Sequence, residues 1–283
     1  MDSAAGTTLD TASDKPQARV AARLSRAYEL QRAGGVDSRA ATTEMEVALA
    51  EARATPYEIE FRMRVELALA LAEAYLHADQ LEEARRMIDE EADFAEKIFQ
   101  IMQATGTPEQ KRAAAGGRVQ VRDRARQLAL IGAEAPEISV KEWINGEAAS
   151  LASLRGRVVL LEFWATWCQP CREMFPKLRK LDEEYRERGL EVIALTRHYL
   201  ASRDTASSLA EELELMRSVV AQHDLKFRVG VAEDERTQEL YGATGLPTLA
   251  LVDRTGVVRY AHFGGGEDAR FNRILNRCLD AGA

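Results

Sequence analysis

Cysteine is scarce in this sequence: three residues in 283, Cys168, Cys171 and Cys278. That is too few for a disulfide framework, so the fold must rest on buried cores. Histidine is nearly as scarce, with four residues. His77, His198, His223 and His262 show no ligand-like spacing, and there is no second C-x-x-C. A structural zinc site takes about four such ligands, so a metal clip is not expected. No run of about 18 or more apolar residues is present, so no membrane-spanning helix is expected. Positive charge is short as well, 38 Lys and Arg against 46 Asp and Glu, a formal net charge of -8. An acidic chain repels phosphate backbones, which argues against a nucleic-acid partner. The first residues, MDSAAGTTLDTASDKPQ, lack the basic and apolar stretches of a signal peptide. Residues 1–16 are expected to form a disordered tail. The absence of a leader points to the cytoplasm; removal of a leader before this sequence begins would point to an extracytoplasmic setting.

What is present divides into two halves. Hydrophobic residues make up 46% and charged residues 30%, enough for two ordinary cores. From 17 to 132 the pattern is helical, rich in Ala, Glu, Arg and Leu. Five helices are expected at about 17–33, 38–54, 56–78, 80–104 and 108–131. Gly34-Gly35, Thr55-Pro56, Ala78-Asp79 and the stretch from Thr105 to Pro108 separate them. Asp37 and Thr107 suit N-caps, and Pro108 suits a first turn. Leu71, Ala72, Tyr75, Leu81, Ala84 and Ile88 fall at the spacings of a tetratricopeptide hairpin, with a weaker echo at Leu24, Ser25 and Tyr28. An irregular helical bundle is the alternative.

From 133 to 283 strands and helices alternate. Ile138–Ile144 precedes Asn145-Gly146, a tight-hairpin signal. Val158–Phe163 is a near-continuous apolar run, as in a strand buried on both faces. A helix at 169–188, a strand at 190–196, a helix at about 204–223, a strand at 226–231 and a short helix at 234–241 follow. Two strands then flank a turn at Asp253–Gly256, and a helix at 267–280 closes the chain. This order predicts a mixed sheet with helices on both sides. The fold class is an all-helical bundle joined to an α/β domain.

Cys168 and Cys171 lie where the apolar strand meets the helix, in "WATWCQPCREMFPKL". As a staple the pair closes too short a loop to stabilise much. As a redox pair it has a mechanism. At a helix N-terminus the unpaired N–H groups and the helix dipole favour a thiolate, with Arg172 within a turn. Cys168 would attack a partner's disulfide, and Cys171, one turn further in, would attack Cys168 and release the partner.

These residues carry a resemblance. "FWATWCQPC", Pro176 and "TGLPT" at 244–248 resemble thioredoxin. "APEISVKEWINGEAASLASLRGRVVLLEFWATWCQPC", the extra helix before the third strand and the "LVDRTGVVRY" hairpin narrow it to the TlpA/ResA branch of thioredoxin-like thiol–disulfide oxidoreductases. The resemblance covers about 134–283 and implies a thioredoxin-like domain. It implies that Pro247 is a cis-proline beside the cysteines, leaving the backbone of Leu246 free to pair with substrate. It makes Trp167 the flanking aromatic and Trp164 a packing residue. It places Glu162 where thioredoxins carry a buried acid, a proton relay for Cys171. The alternative for Glu162 is a strand-end carboxylate reaching solvent or a basic partner. One departure stands out. The branch often has a glutamate three residues after the second cysteine; here that residue is Met174, and Glu173 lies on another helix face. This argues against a narrow role in cytochrome maturation.

The partners implied are protein thiols or disulfides and an electron-transfer partner, with no cofactor, because the electrons rest in the cysteine pair. The helical half is expected to recruit partners. A scaffold that captures clients without turnover is one alternative. A peroxiredoxin-like peroxidase is another, but Ala165 stands where that chemistry needs a threonine, and Thr166 is one residue too close. Cys278 reads as an idle helical thiol, or as a second redox thiol. His198 follows the second strand and borders the site if the loop turns back.

Overall fold

The computed structural model describes residues 15–35, 38–200, 208–265 and 269–282. The expected tail and the N-cap at Asp37 fall outside these residues, apart from Lys15 and Pro16 at the entry to the first helix. The chain forms two compact units, to Arg122 and from Asp123.

The first unit is helical: α1 (Pro16–Gly34), α2 (Arg39–Ala54), α3 (Phe61–His77), α4 (Leu81–Thr105) and the start of α5 (Pro108–Leu130). Successive helices α1 to α4 pack on one another. Leu71, Ala72, Ala84 and Ile88 lie buried in α3 and α4. Ser38 caps α2 through its hydroxyl. Thr107 caps α5: its hydroxyl accepts from Gln110 N at 3.3 Å while the Gln110 side chain accepts from Thr107 N at 2.8 Å. The third helix begins at Phe61, not at 56 as its composition suggested. Residues 55–58 close a turn instead, with Glu58 N on Thr55 O at 3.0 Å, and this buries Ile59. Beneath the helices, Arg64 of α3 donates to both carboxylate oxygens of Glu91 of α4, at 2.6 and 3.1 Å. Arg53 of α2 adds a third bond at 2.9 Å.

The second unit is built on six strands: β1 (Val140–Asn145), β2 (Val158–Phe163), β3 (Leu190–Thr196), β4 (Arg228–Ala232), β5 (Thr248–Val252) and β6 (Val258–Phe263). Their order is β1-β4-β3-β2-β5-β6. The β4–β3 and β3–β2 pairs are parallel and the others antiparallel, so the sheet is mixed. Helices α6 (Gln169–Tyr185), α7 (Leu209–Gln222), α8 (Arg236–Leu240) and α9 (Ala269–Asp280) complete the unit. The central β2 is buried along its whole length. Val158 and Leu160 face a core shared with α6, α7 and α9. Val159, Leu161 and Phe163 face a second core with Ile138, Leu151, Leu154 and Tyr241. Period-2 alternation thus divides β2 between two apolar layers, which is why the strand reads as a continuous run.

The hairpin expected at Asn145-Gly146 does not form. β1 pairs with β4, far along the chain, with Asn145 opposite Val229. The Asn145 side chain instead donates to the carbonyls of Leu225 and Phe227 at 2.7 and 2.9 Å. Gly146, at φ 78°, lies against Arg228. The same Asn-Gly chemistry that closes a hairpin here anchors the entry to β4. The turn after β5 forms as expected: Gly256 N bonds Asp253 O at 2.9 Å, and the Asp253 carboxylate accepts from Thr255 N and Val257 N.

The end of α5 belongs to this second unit. Gln127 donates to Gly242 O at 2.7 Å and Arg124 to Ala261 O at 3.2 Å, both from buried positions. Gly242, at φ 58°, brings its backbone so close to the Asp123 carbonyl that a Cβ there would collide.

Candidate functional site: a disulfide at the N-terminus of a helix

The site is assembled where β2 ends. Trp164 N continues the pairing with β3 by donating to Leu195 O at 2.9 Å. The chain then turns, with Cys168 N on Ala165 O at 3.0 Å and the Arg172 guanidinium on Thr166 O at 3.2 Å. Cys168 becomes the N-cap of α6, and its sulfur accepts from Cys171 N at 3.2 Å. Pro170 fits the first turn, where its missing N–H is no loss. Cys168 and Cys171 are joined by a disulfide with Cα atoms 5.4 Å apart. Cys168 is 4% exposed and Cys171 is fully buried. The helix-terminal N–H groups and dipole favour a thiolate on Cys168 when the bond opens.

Glu162 is fully buried in β2. It has the parity of Leu160, so it points to the face that carries Cys168, Cys171 and α6. Its cross-strand neighbours are Ala194 and Leu249, which offer no polar group. Neither carboxylate oxygen has a hydrogen-bond partner. Burial alone raises its pKa well above the usual 4.5. The apolar layer thus favours the protonated form of this carboxyl group, which does not reach solvent.

The Leu246–Pro247 peptide is cis. Thr248, the next residue, pairs with Phe163 at the end of β2, so Pro247 lies at the end of the sheet from which the chain runs to Cys168. Pro247 O accepts from Gly264 N at 2.8 Å. Leu246 is partly buried against both cores. Trp167 is 51% exposed, whereas Trp164 is fully buried, edge-on to Phe175 at 5.4 Å. The pairing of β2 with β5 thus places Cys168, Cys171, Glu162, Trp167, Leu246 and Pro247 toward one end of the sheet.

Other candidates lie elsewhere or form no site. Cys278 is a free, buried thiol on α9, and burial raises its pKa. Among the described residues no group of His, Cys, Asp and Glu could hold a metal, and no helix is long and apolar enough to cross a membrane. His198 sits with Nδ1 3.3 Å from Glu212. Its neighbour Tyr199 is the residue that reaches the site, edge-on to Trp167 at 5.5 Å. Sequence reasoning missed Tyr199 and the buried Glu212 that holds its loop. Glu212 did leave a signal: it stands four, seven and eight residues before the buried Met216, Val219 and Val220, on the apolar stripe of α7.

Comparison with known proteins bears on this half of the chain. A family model described as AhpC/TSA family matches residues 131–261. Thiol-disulfide oxidoreductase ResA of Bacillus cereus is 36% identical over 129 residues, 45% of this chain and 66% of that protein. Thioredoxin-like protein YneN of Bacillus subtilis is 32% identical over 133 residues, 47% of this chain and 71% of that protein. ResA of Halalkalibacterium halodurans is 33% identical over 141 residues, 50% and 72% respectively. Among solved structures, a putative thiol:disulfide interchange protein DsbE from Chlorobium tepidum is 29% identical with a TM-score of 0.43, covering 53% of this chain and 97% of that one.

Proposed function

Because the chain belongs to the ResA-like family of thioredoxin-fold thiol–disulfide oxidoreductases, we propose that it exchanges disulfides with protein substrates through the Cys168-Gln-Pro-Cys171 pair. The observation that supports this most is the position of the pair, capping α6 on the face of the sheet that buries the unpaired Glu162.

In the reducing direction, the Cys168 thiolate attacks one sulfur of a client disulfide. The client S–S bond breaks, its electron pair leaves on the other client sulfur, and a mixed disulfide forms. The Cys171 thiol then gives its proton to the Glu162 carboxylate and attacks Cys168. The second client thiolate departs and the Cys168–Cys171 disulfide is left. In the oxidising direction the steps reverse. A protonated Glu162 in an apolar layer is the form that returns a proton to Cys171. Leu246 offers the substrate-facing backbone beside the cis Pro247, and Trp167 an apolar flank. The helical unit recruits clients or the electron-transfer partner. The resemblance favours an extracytoplasmic setting, where such disulfides persist.

The test is the reduction potential of the pair, from equilibration with glutathione buffers and mass detection of alkylated thiols. A value near -270 mV, as in thioredoxin, identifies a reductant, and one near -120 mV an oxidant of client thiols. Failure of Cys168 and Cys171 to interconvert anywhere between about -320 and -120 mV rejects the reading.

A further inference from the structure

Trp167 is the exposed flank of the disulfide, and what stands behind it comes from neither β2 nor α6. Tyr199, in the loop after β3, meets it edge-on with ring centroids 5.5 Å apart and an interplanar angle of 84°. Tyr199 is itself only 7% exposed, and three segments hold it. The Arg197 guanidinium lies over its ring at 4.2 Å. The Gln238 amide of α8 donates to its hydroxyl, and Gln238 in turn accepts from Arg197 Nε at 2.8 Å. From α7, Glu212 Oε1 accepts from Tyr199 N at 2.7 Å and from Leu200 N at 2.9 Å. The other Glu212 oxygen faces His198 Nδ1. A carboxylate that is 2% exposed is costly unless fully bonded. Here its bonds fix the backbone of the loop that carries Tyr199. An arrangement of this kind leaves the ring little choice of position.

We propose that Tyr199 is a positioning residue of the exchange site: it holds Trp167 beside Cys168 as a preformed apolar wall for an extended, disulfide-bearing segment of a protein client. This rests on the exchange activity proposed above. A wall held ready costs the client no ordering when it docks. An edge-on aromatic pair is worth about three- to tenfold in affinity. A small disulfide, which touches only the sulfurs, gains nothing from it.

The test compares the full chain with Tyr199→Ala and Tyr199→Phe on two probes, insulin as a protein disulfide and 2-hydroxyethyl disulfide as a small aliphatic one, with dithiothreitol as the electron source and the uncatalysed rate subtracted. Tyr199→Ala is expected to raise KM for insulin about three- to tenfold, while kcat, the rate on the small disulfide and the reduction potential stay at the parent values. Tyr199→Phe keeps the ring edge and the Glu212 bonds to the loop but loses the Gln238 bond, and is expected to lie nearer to the parent than to Tyr199→Ala. In a Trp143→Phe background, where Trp164 is buried from the quencher, acrylamide should reach Trp167 more readily after Tyr199→Ala. An unchanged KM, an equal loss on both probes, or a phenylalanine variant as impaired as the alanine variant overturns the proposal. If the parent exchanges with neither probe, the activity reading falls. Quenching then decides the positioning role alone, and unchanged quenching rejects it.

Discussion

At the scale of single residues, the two cysteines have unequal tasks. Cys168 caps the helix with its sulfur, while Cys171 is buried a turn further in. Cys171→Ser is therefore expected to stall exchange at the mixed disulfide, so that client adducts on Cys168 accumulate and appear on non-reducing gels. Cys168→Ser is expected to form none. Cys278, buried and with its thiol pKa raised, should stay unalkylated in the native chain. Glu162 ties chemistry to stability. Its folded pKa lies well above the usual 4.5 because of burial. Below 4.5 the folded and unfolded chains both hold the proton, and the stability it contributes is fully present. As pH rises from 4.5 through the folded value, the unfolded chain releases the proton first, and that stability is lost. Glu162→Gln should flatten this decline in urea titrations run across the same pH range, and should slow exchange with protein clients by about 10²-fold. A decline that persists in the glutamine variant would assign it to another group.

At the scale of elements, the helical unit depends on one buried ionic junction. Arg64 and Glu91 are each at most 5% exposed, and Arg53 closes the cluster from α2. The Arg64 guanidinium also lies 3.4 Å from the centroid of the Phe94 ring. Glu91→Ala leaves a buried cation without its partner, at a cost of about 3–5 kcal/mol. The expected outcome is loss of helical signal from the first unit at lower urea than in the parent. Replacing both Arg64 and Glu91 with apolar residues of similar volume should recover most of it. Equal urea midpoints for parent and Glu91→Ala would show that the junction carries no net stability.

At the scale of the whole molecule, the compact unit that bears the disulfide begins at Asp123. Residues 123–283 are expected to fold without the helices that precede them and to keep the reduction potential of the full chain. A fragment starting at 133 loses the bonds of Gln127 and Arg124 to Gly242 O and Ala261 O. It also loses Leu130 from the second core and exposes the apolar surface beneath it, so its melting temperature should fall by about 5 °C or more. Both fragments should reduce a small disulfide at the full-chain rate. If the helical unit recruits clients, kcat/KM for the natural protein substrate should fall in both. Unchanged kcat/KM would remove that role.

The sequence by itself determined the order of elements, the mixed sheet and the place of the cysteine pair. These depend on local rules: apolar periodicity, capping residues, proline at a first helical turn. Glu162 was legible too, because a carboxylate inside an apolar strand is conspicuous. Tertiary structure alone decided which strand takes β1. Asn145-Gly146 satisfies a hairpin rule, but the ladder to β4 and the bonds of the Asn145 side chain to Leu225 O and Phe227 O take the place of a local turn. It also decided that the last residues of α5 serve the sheet, since their periodicity continues the helix without saying what the helix faces. The support of Trp167 was beyond reach for the same reason. Tyr199, Glu212 and Gln238 come from three separate segments, and only the closing of the sheet brings their hydrogen bonds to one ring. Hydrogen bonds between distant segments leave no period in a sequence, whereas a buried face does.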